Sequence, residues 1–284
     1  LAAGAGCVEN GDEAPDAGVA STGSDAPIYR GPATFAVTHY DFQLDLATRR
    51  ATASLALVIE TPGDCVSIPF RPSAAEEVQL GGELAREVAV ADGVLTACGG
   101  VGTGWGVGQS VQLATMLTVP EETWWRTQVG YSVTNDSEGQ PFTYLLSWFG
   151  GCARHGPCDA RPQVFATYRF VVEHPAGVEV LCPGVVTATE TRTTCEFPFA
   201  GGPTYSTFAL MASPSWTRRT TTTWGAIDVT LLDMDSTRVT DDFDWTRAGG
   251  FFAWMEVTFG PYPYGEELRM AVGPTYWAGC EHPG

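Results

Sequence analysis

The chain has 284 residues, a net charge of −18, and 15 basic residues, every one of them Arg. Without Lys there is no P-loop lysine, no Schiff-base lysine and no polybasic phosphate tract, and without a basic stripe a nucleic-acid backbone finds nothing to neutralise it. Apolar residues make up 44% of the chain, enough for a packed core, yet Gly, Thr or a charge interrupts each apolar run well short of the roughly 18 residues of a membrane-spanning helix.

From the N-terminus, "LAAGAGC" is a run of small residues ending at Cys7, similar to the tail of a bacterial lipoprotein signal whose Cys is lipidated; the alternative is a flexible-tail thiol. Residues 8–27 carry five acidic and no basic residues among Ala, Gly, Ser and Pro, so residues 1–33 are expected to be a signal remnant and a disordered acidic tether. "THYDFQLDL" then alternates strictly, with Tyr40, Phe42, Leu44 and Leu46 on one face and Asp41, Gln43 and Asp45 on the other. After the turn "ATRR", Ala53, Leu55, Leu57 and Ile59 share a face, which predicts an antiparallel hairpin. Further short strands follow, from "CVSIPF" through "SVQLATMLTV", "TYLLSWF" and "ATYRFVVEHP" to "TYSTFALMAS". Gly, Pro, Asp and Asn separate them at the spacing of an all-β sandwich or saddle. No amphipathic helix is expected before residue 214. Beyond Pro214, "WGAIDVTLLD" reads as a strand and "DDFDWTRAGGFFAWMEVTFG" as a helix with Phe243, Phe251 and Trp254 at loosely helical spacing. Asp241 or Asp242 is its expected cap, and Gly249-Gly250 weakens it. The predicted division is 34–213 for the β-domain and 214–284 for a second domain only begun.

Setting Cys7 aside, three local cysteine pairs suggest themselves: Cys65 with Cys98, Cys152 with Cys158, and Cys182 with Cys195; Cys280 is left over. Sequence does not prove this connectivity, but it fits an oxidising compartment. "CARHGPC" is alternatively a metal cluster of Cys152, His155 and Cys158, which lacks a nearby fourth ligand. "GGVGTGWGVG" has six glycines but neither the strand-to-helix context nor the lysine of a nucleotide loop, and reads as a surface turn. Trp124, Trp125, Trp148 and Phe149 either line a cleft or pack the core.

Three segments, in order, carry a resemblance that none carries alone. "THYDFQLDLATRRATASLALVIE" looks like a first hairpin, "CARHGPCDARPQVFATYRFVVEHPAGVEVLCPG" looks like an "ARxxFPCFDEPxxKAxF" block, and "FGPYPYGEELRMAVGPTYWAGCEHPG" looks like the stretch leading to a Gly-x-Met-Glu-Asn motif. From Thr38 to Gly284 the chain thus resembles the aminopeptidase N (membrane alanyl aminopeptidase) family of zinc metallopeptidases. The resemblance implies a mainly β fold: an N-terminal β-saddle or sandwich domain, then the first strands and a helix of a thermolysin-like α+β domain. It also implies an enzyme that removes N-terminal residues from peptides with a zinc-activated water; the cysteine pairs and the "LAAGAGC" run add the expectation that it is exported to the cell envelope or exterior. Glu281 matches the motif carboxylate that binds the free α-amine, and Gly279 and Cys280 form the adjoining edge. The plainer readings are a solvated loop carboxylate for Glu281, and a disulfide-bonded or buried thiol for Cys280.

The departures matter too. His39, His155, His174 and His282 are the only histidines and none forms H-E-x-x-H, so no catalytic residue and no zinc ligand is expected in this chain, which alone is expected to be inactive. "PCDARP" keeps Pro157, Cys158 and Pro162 but has Ala160 and Arg161 where Asp and Glu are expected. Phe149 aligns with a second amine anchor, normally Gln or Glu. The expected partners are peptides, no nucleic acid, and a membrane if Cys7 is lipidated. The competing expectation is a non-catalytic peptide-binding or scaffold relative of the same architecture.

Overall fold

The computed structural model describes residues 29–100, 102–124, 129–147, 151–159, 161, 163–199 and 209–274. The predicted hairpin is β1 (Thr34–Asp45) and β2 (Arg50–Thr61), antiparallel, with Tyr40 opposite Leu55 and Phe42 opposite Ala53. Period-two alternation decides the faces: Tyr40, Phe42, Leu44, Leu55, Leu57 and Ile59 are buried while Gln43 faces water. β2 pairs with β8 (Ser110–Thr118), which pairs with β4 (Glu76–Leu80) and through it β5 (Glu83–Leu84). On its other edge β1 runs parallel to β12 (Thr167–Glu173), followed by β15 (Arg192–Phe197) and β14 (Val185–Ala188), completing eight strands. Tyr40 stacks on Tyr168 across the parallel pair, ring centroids 5.3 Å apart.

Two smaller sheets cover this one. β3 (Cys65–Pro69), β7 (Val94–Cys98) and β6 (Glu87–Ala91) form one. The other runs β13 (Glu179–Leu181), β16 (Ala209–Ser213), β11 (Pro141–Leu146), β10 (Val129–Asn135) and β9 (Glu122–Trp124). β11 explains its own composition. Leu145 joins the main core with Leu210 and Ala212, whereas Phe142, Tyr144 and Leu146 point the other way into a second cluster with Trp216, Leu232 and Met234. A strand covered on both faces has no solvent side, and "FTYLL" accordingly lacks polar alternation.

The second cluster joins the five-stranded sheet to a three-stranded one: β17 (Arg218–Trp224), β18 (Ile227–Asp233) and β19 (Glu267–Ala271). β19 is parallel to β18, and the single α-helix among the described residues, α1 (Trp245–Phe259), lies in the crossover between them. The architecture is mainly β, as expected. One local expectation, the cap and start of the helix, needs correction. The helix cap is Asp244, whose carboxylate accepts from Arg247 N at 2.9 Å; Asp241 instead ends a 3₁₀ turn, Val239–Asp241, with Asp242 just after it, and Phe243 lies outside the helix. Gly249 is a packing notch, since a Cβ there would lie 2.8 Å from the indole of Trp224. The run "RRTTTTW" is itself a strand, β17, held by β-branched Thr rather than by apolar alternation.

Candidate functional site

Glu281, Gly279, Cys280, Cys7, Trp125, Trp148 and Phe149 lie outside the described residues. The described residues show the footings of the two segments that carry most of them. The stretch holding Phe149 leaves β11 at Leu146 and Ser147 and is received by the loop "CARHGPC". A Cys152–Cys158 disulfide closes that loop, with Cα atoms 5.9 Å apart. Cys158 N donates to Pro69 O at 3.0 Å and Arg71 N to Ala153 O at 2.8 Å, so the end of β3 holds the loop from both sides. The metal-cluster alternative fails here, because both thiols are spent in the disulfide. His155 is fully buried, and its Nε2 donates to Leu146 O at 3.3 Å. Desolvation, reinforced by the Arg154 charge and opposed by the Leu146 carbonyl, pushes its pKa down to about 3, so the ring is neutral. His155 Nδ1 and Ser147 Oγ have no hydrogen-bond partner among the described residues.

The other two expected disulfides also form, Cys65–Cys98 and Cys182–Cys195. Cys65 and Cys98 face each other across β3 and β7, which places their Cα atoms only 4.0 Å apart. In the altered "PCDARP" block, Asp159 is buried and both its oxygens are taken by Arg161: Nε to Oδ1 at 2.9 Å and Nη2 to Oδ2 at 2.5 Å. Asp159 N in turn donates to the Tyr40 hydroxyl oxygen at 3.1 Å. This pair borders a cavity of about 590 Å³ that also meets Glu60, Arg71 and Asp92.

The second footing is β19, ahead of residues 279–281. Val272 N donates to Leu232 O at 2.9 Å, extending the parallel ladder by one residue, and Trp216 Nε1 donates to Val272 O at 3.1 Å. Gly273 then passes so close to Phe142 that a Cβ would lie 2.5 Å from its ring. Arg269, not singled out from sequence, reaches across to the backbone of Cys182 and Gly184. It helps line a cavity of about 520 Å³ with His174, Glu179, Arg219 and Glu267. Nothing local to "ELRMA" signals this contact, because its partners lie 85 and 87 residues away. Asp233 was also missed. Burial opposes its ionisation, but hydrogen bonds from Thr237, Thr240 and Met234 outweigh that and hold its carboxyl below the usual range.

A zinc site does not fit these residues. His39 bonds Thr167, His174 bonds Thr193 and Pro175 O, and His155 is buried on a carbonyl. Among the described residues no three His, Cys, Asp or Glu side chains are grouped to hold a metal ion.

No protein-family model matches the sequence, and no curated protein sequence matches it. Solved structures do match its fold. An M1 zinc metallopeptidase mutant from Deinococcus radiodurans bound to a Tyr-Ser-Ala substrate superposes with a TM-score of 0.68 at 19% identity, covering 86% of this chain and 57% of that one. A two-domain M1 zinc metallopeptidase mutant bound to L-arginine gives 0.68 and 19% over the same shares. The unmutated D. radiodurans M1 enzyme gives 0.67 at 18%, again covering 86% and 57%. The chain therefore spans 57% of the length of those structures' chains. Three sequence segments and one continuous fold point to the same relatives: the chain resembles the M1 zinc metallopeptidases, the aminopeptidase N family, and has their fold over most of its length.

Proposed function

We propose that this chain forms one wall of the peptide cleft of an exported, zinc-dependent aminopeptidase, and that Glu281 anchors the α-ammonium of the substrate. The observation that supports it best is the shared fold over 86% of the chain; β19 is the strand ahead of Gly279, Cys280 and Glu281. A carboxylate at such an edge reads a free N-terminus through a charge-assisted hydrogen bond and thereby sets exopeptidase register. Residues 34–213 would then be the β-saddle domain and 214–284 the opening of the catalytic domain. Hydrolysis by this family requires zinc as Lewis acid, and no H-E-x-x-H occurs in these 284 residues, so no hydrolytic step is assigned to them. Three disulfides support an oxidising compartment, and the "LAAGAGC" run supports envelope attachment through Cys7.

A non-catalytic peptide-binding relative is the second reading. It is favoured by the altered "PCDARP" block, in which Asp159 is consumed by Arg161. Calorimetric titration of the chain with Tyr-Ser-Ala and its N-acetylated form separates the two. Amine anchoring makes the free tripeptide bind roughly tenfold or more tightly, and Glu281→Gln removes the preference. Equal affinities overturn the amine-anchor assignment and leave the scaffold reading. Chelator-sensitive turnover of aminoacyl amides by the chain with added zinc would show instead that these residues do build the chemistry.

A further inference from the structure

Arg269 lies in the middle of β19, and its side chain is only 9% exposed. A cation so enclosed needs its donors satisfied, and a planar guanidinium can serve several acceptors at once. Nη1 donates to Glu267 Oε2 at 2.5 Å on the same strand. Nη2 leaves the strand altogether, donating to the carbonyl of Cys182 at 3.3 Å and to that of Gly184. Those carbonyls belong to the buried turn between β13 and β14, which the Cys182–Cys195 disulfide ties to β15 with Cα atoms 6.0 Å apart. Gly184 has φ +92°, and a Cβ there would collide with the carbonyl of Glu196, so only glycine presents its carbonyl in this way. The same stretch also supplies Glu179, paired with Arg219 of β17. Two arginines of the three-stranded sheet thus grip one disulfide-bound segment of the five-stranded sheet and its following turn.

We infer that Arg269 is a positioning residue: it locks β19 onto the disulfide-closed turn 182–184 and so fixes the register of the strand that precedes Glu281. The role rests on the amine-anchoring assignment of Glu281. Parallel pairing with β18 holds β19 within its own sheet but does not fix that sheet against the β-strands opposite. Apolar contacts such as Ala271 against the second cluster are non-directional and tolerate sliding. Hydrogen bonds from one guanidinium to two carbonyls are directional and do not. Truncating the side chain takes the guanidinium donor away from both carbonyls, while Met in its place keeps most of the packing volume.

The test uses the full chain, the Tyr-Ser-Ala tripeptide, its acetylated form, and amide hydrogen exchange at residues 267–272. Arg269→Met is expected to weaken the free tripeptide roughly tenfold while leaving the acetylated form unchanged, and to speed exchange in β19. Arg269→Lys is expected to recover part of both, since an ammonium reaches one carbonyl. A Cys182→Ala/Cys195→Ala variant is expected to shift both in the same direction as Arg269→Met, by less. Unchanged selectivity in Arg269→Met overturns the positioning role, whether or not exchange speeds up. If Arg269→Met fails to fold, loss of selectivity in a folded Arg269→Lys protein supports the role, and full retention overturns it. A wild-type chain that binds both peptides equally overturns the Glu281 assignment itself, a different failure because no variant is involved.

Discussion

The β1–β2 hairpin and helix α1 are both dense in large apolar side chains, yet water treats them in opposite ways. In the hairpin Leu55 is 1% and Leu57 0% exposed, whereas in the helix Phe251 is 60%, Val257 89% and Phe259 75% exposed. The hairpin's apolar residues recur every second position, so one face collects them all and other strands cover that face. The helix sequence "WTRAGGFFAWMEVTF" spreads its apolar residues around the whole circumference, and a helix resting on one sheet can bury only one side. Phe252 packs on Trp224 at a ring separation of 5.8 Å, but no residue of α1 is fully buried. Apolar content becomes stability only where its period matches the geometry of what covers it.

The sharpest way to break this contrast is to remove equivalent bulk from the two elements. Leu57→Ala in the main core is expected to cost about 2–5 kcal/mol, read from the midpoint of denaturant unfolding. Leu57 packs among residues of several sheets, so the whole eight-stranded layer should lose stability together. A cost under about 1 kcal/mol would mean the hairpin is no better covered than the helix.

His155 supplies a second, pH-dependent test of how completely the N-terminal core excludes water. Its folded pKa of about 3 lies below the unfolded value of about 6.5, so between these limits the unfolded chain binds the extra proton. Stability attributable to His155 is therefore full above about pH 6.5 and is lost as pH falls toward 3, with a slope approaching about 1.4 kcal/mol per pH unit. His155→Leu should abolish that part of the slope, measured as the wild-type-minus-variant difference in unfolding free energy from pH 7 to pH 4. Parallel pH profiles would place water at the imidazole.

The contrast also explains what was legible in the sequence. Strict alternation gave away β1 and β2, and chain proximity gave away the Cys152–Cys158 and Cys182–Cys195 pairs. Pairings between distant segments left no local trace: β1 lies beside β12 in parallel although Tyr40 and Tyr168 are 128 residues apart. β17 leaves no alternating signal because its four consecutive Thr residues, 220–223, carry strand propensity without an apolar face. Three acidic residues, Asp241, Asp242 and Asp244, compete before one helix, and only backbone geometry selects Asp244 among them. Of the candidate site, motif resemblance reached Glu281 and its neighbours, which fall outside the described residues. Arg269 left no trace for the opposite reason, because what distinguishes it is a contact with the distant Cys182–Gly184 turn rather than a pattern.

The smallest expected effect belongs to the outer face of the helix, and it sharpens the contrast from the other side. Val257→Lys replaces an 89% exposed apolar residue near the C-terminal end of α1. Lysine has the higher helix propensity, and a cation near a helix C-terminus meets a favourable dipole, so the change should be neutral or stabilising by up to about 0.5–1 kcal/mol. Loss of the valine side chain should cost almost nothing, because water already surrounds it. Thermal unfolding of the variant beside wild type reads this directly. A destabilisation above about 1 kcal/mol, larger at higher protein concentration, would mean that this face is covered in solution and that the difference between hairpin and helix is one of partners rather than of periodicity.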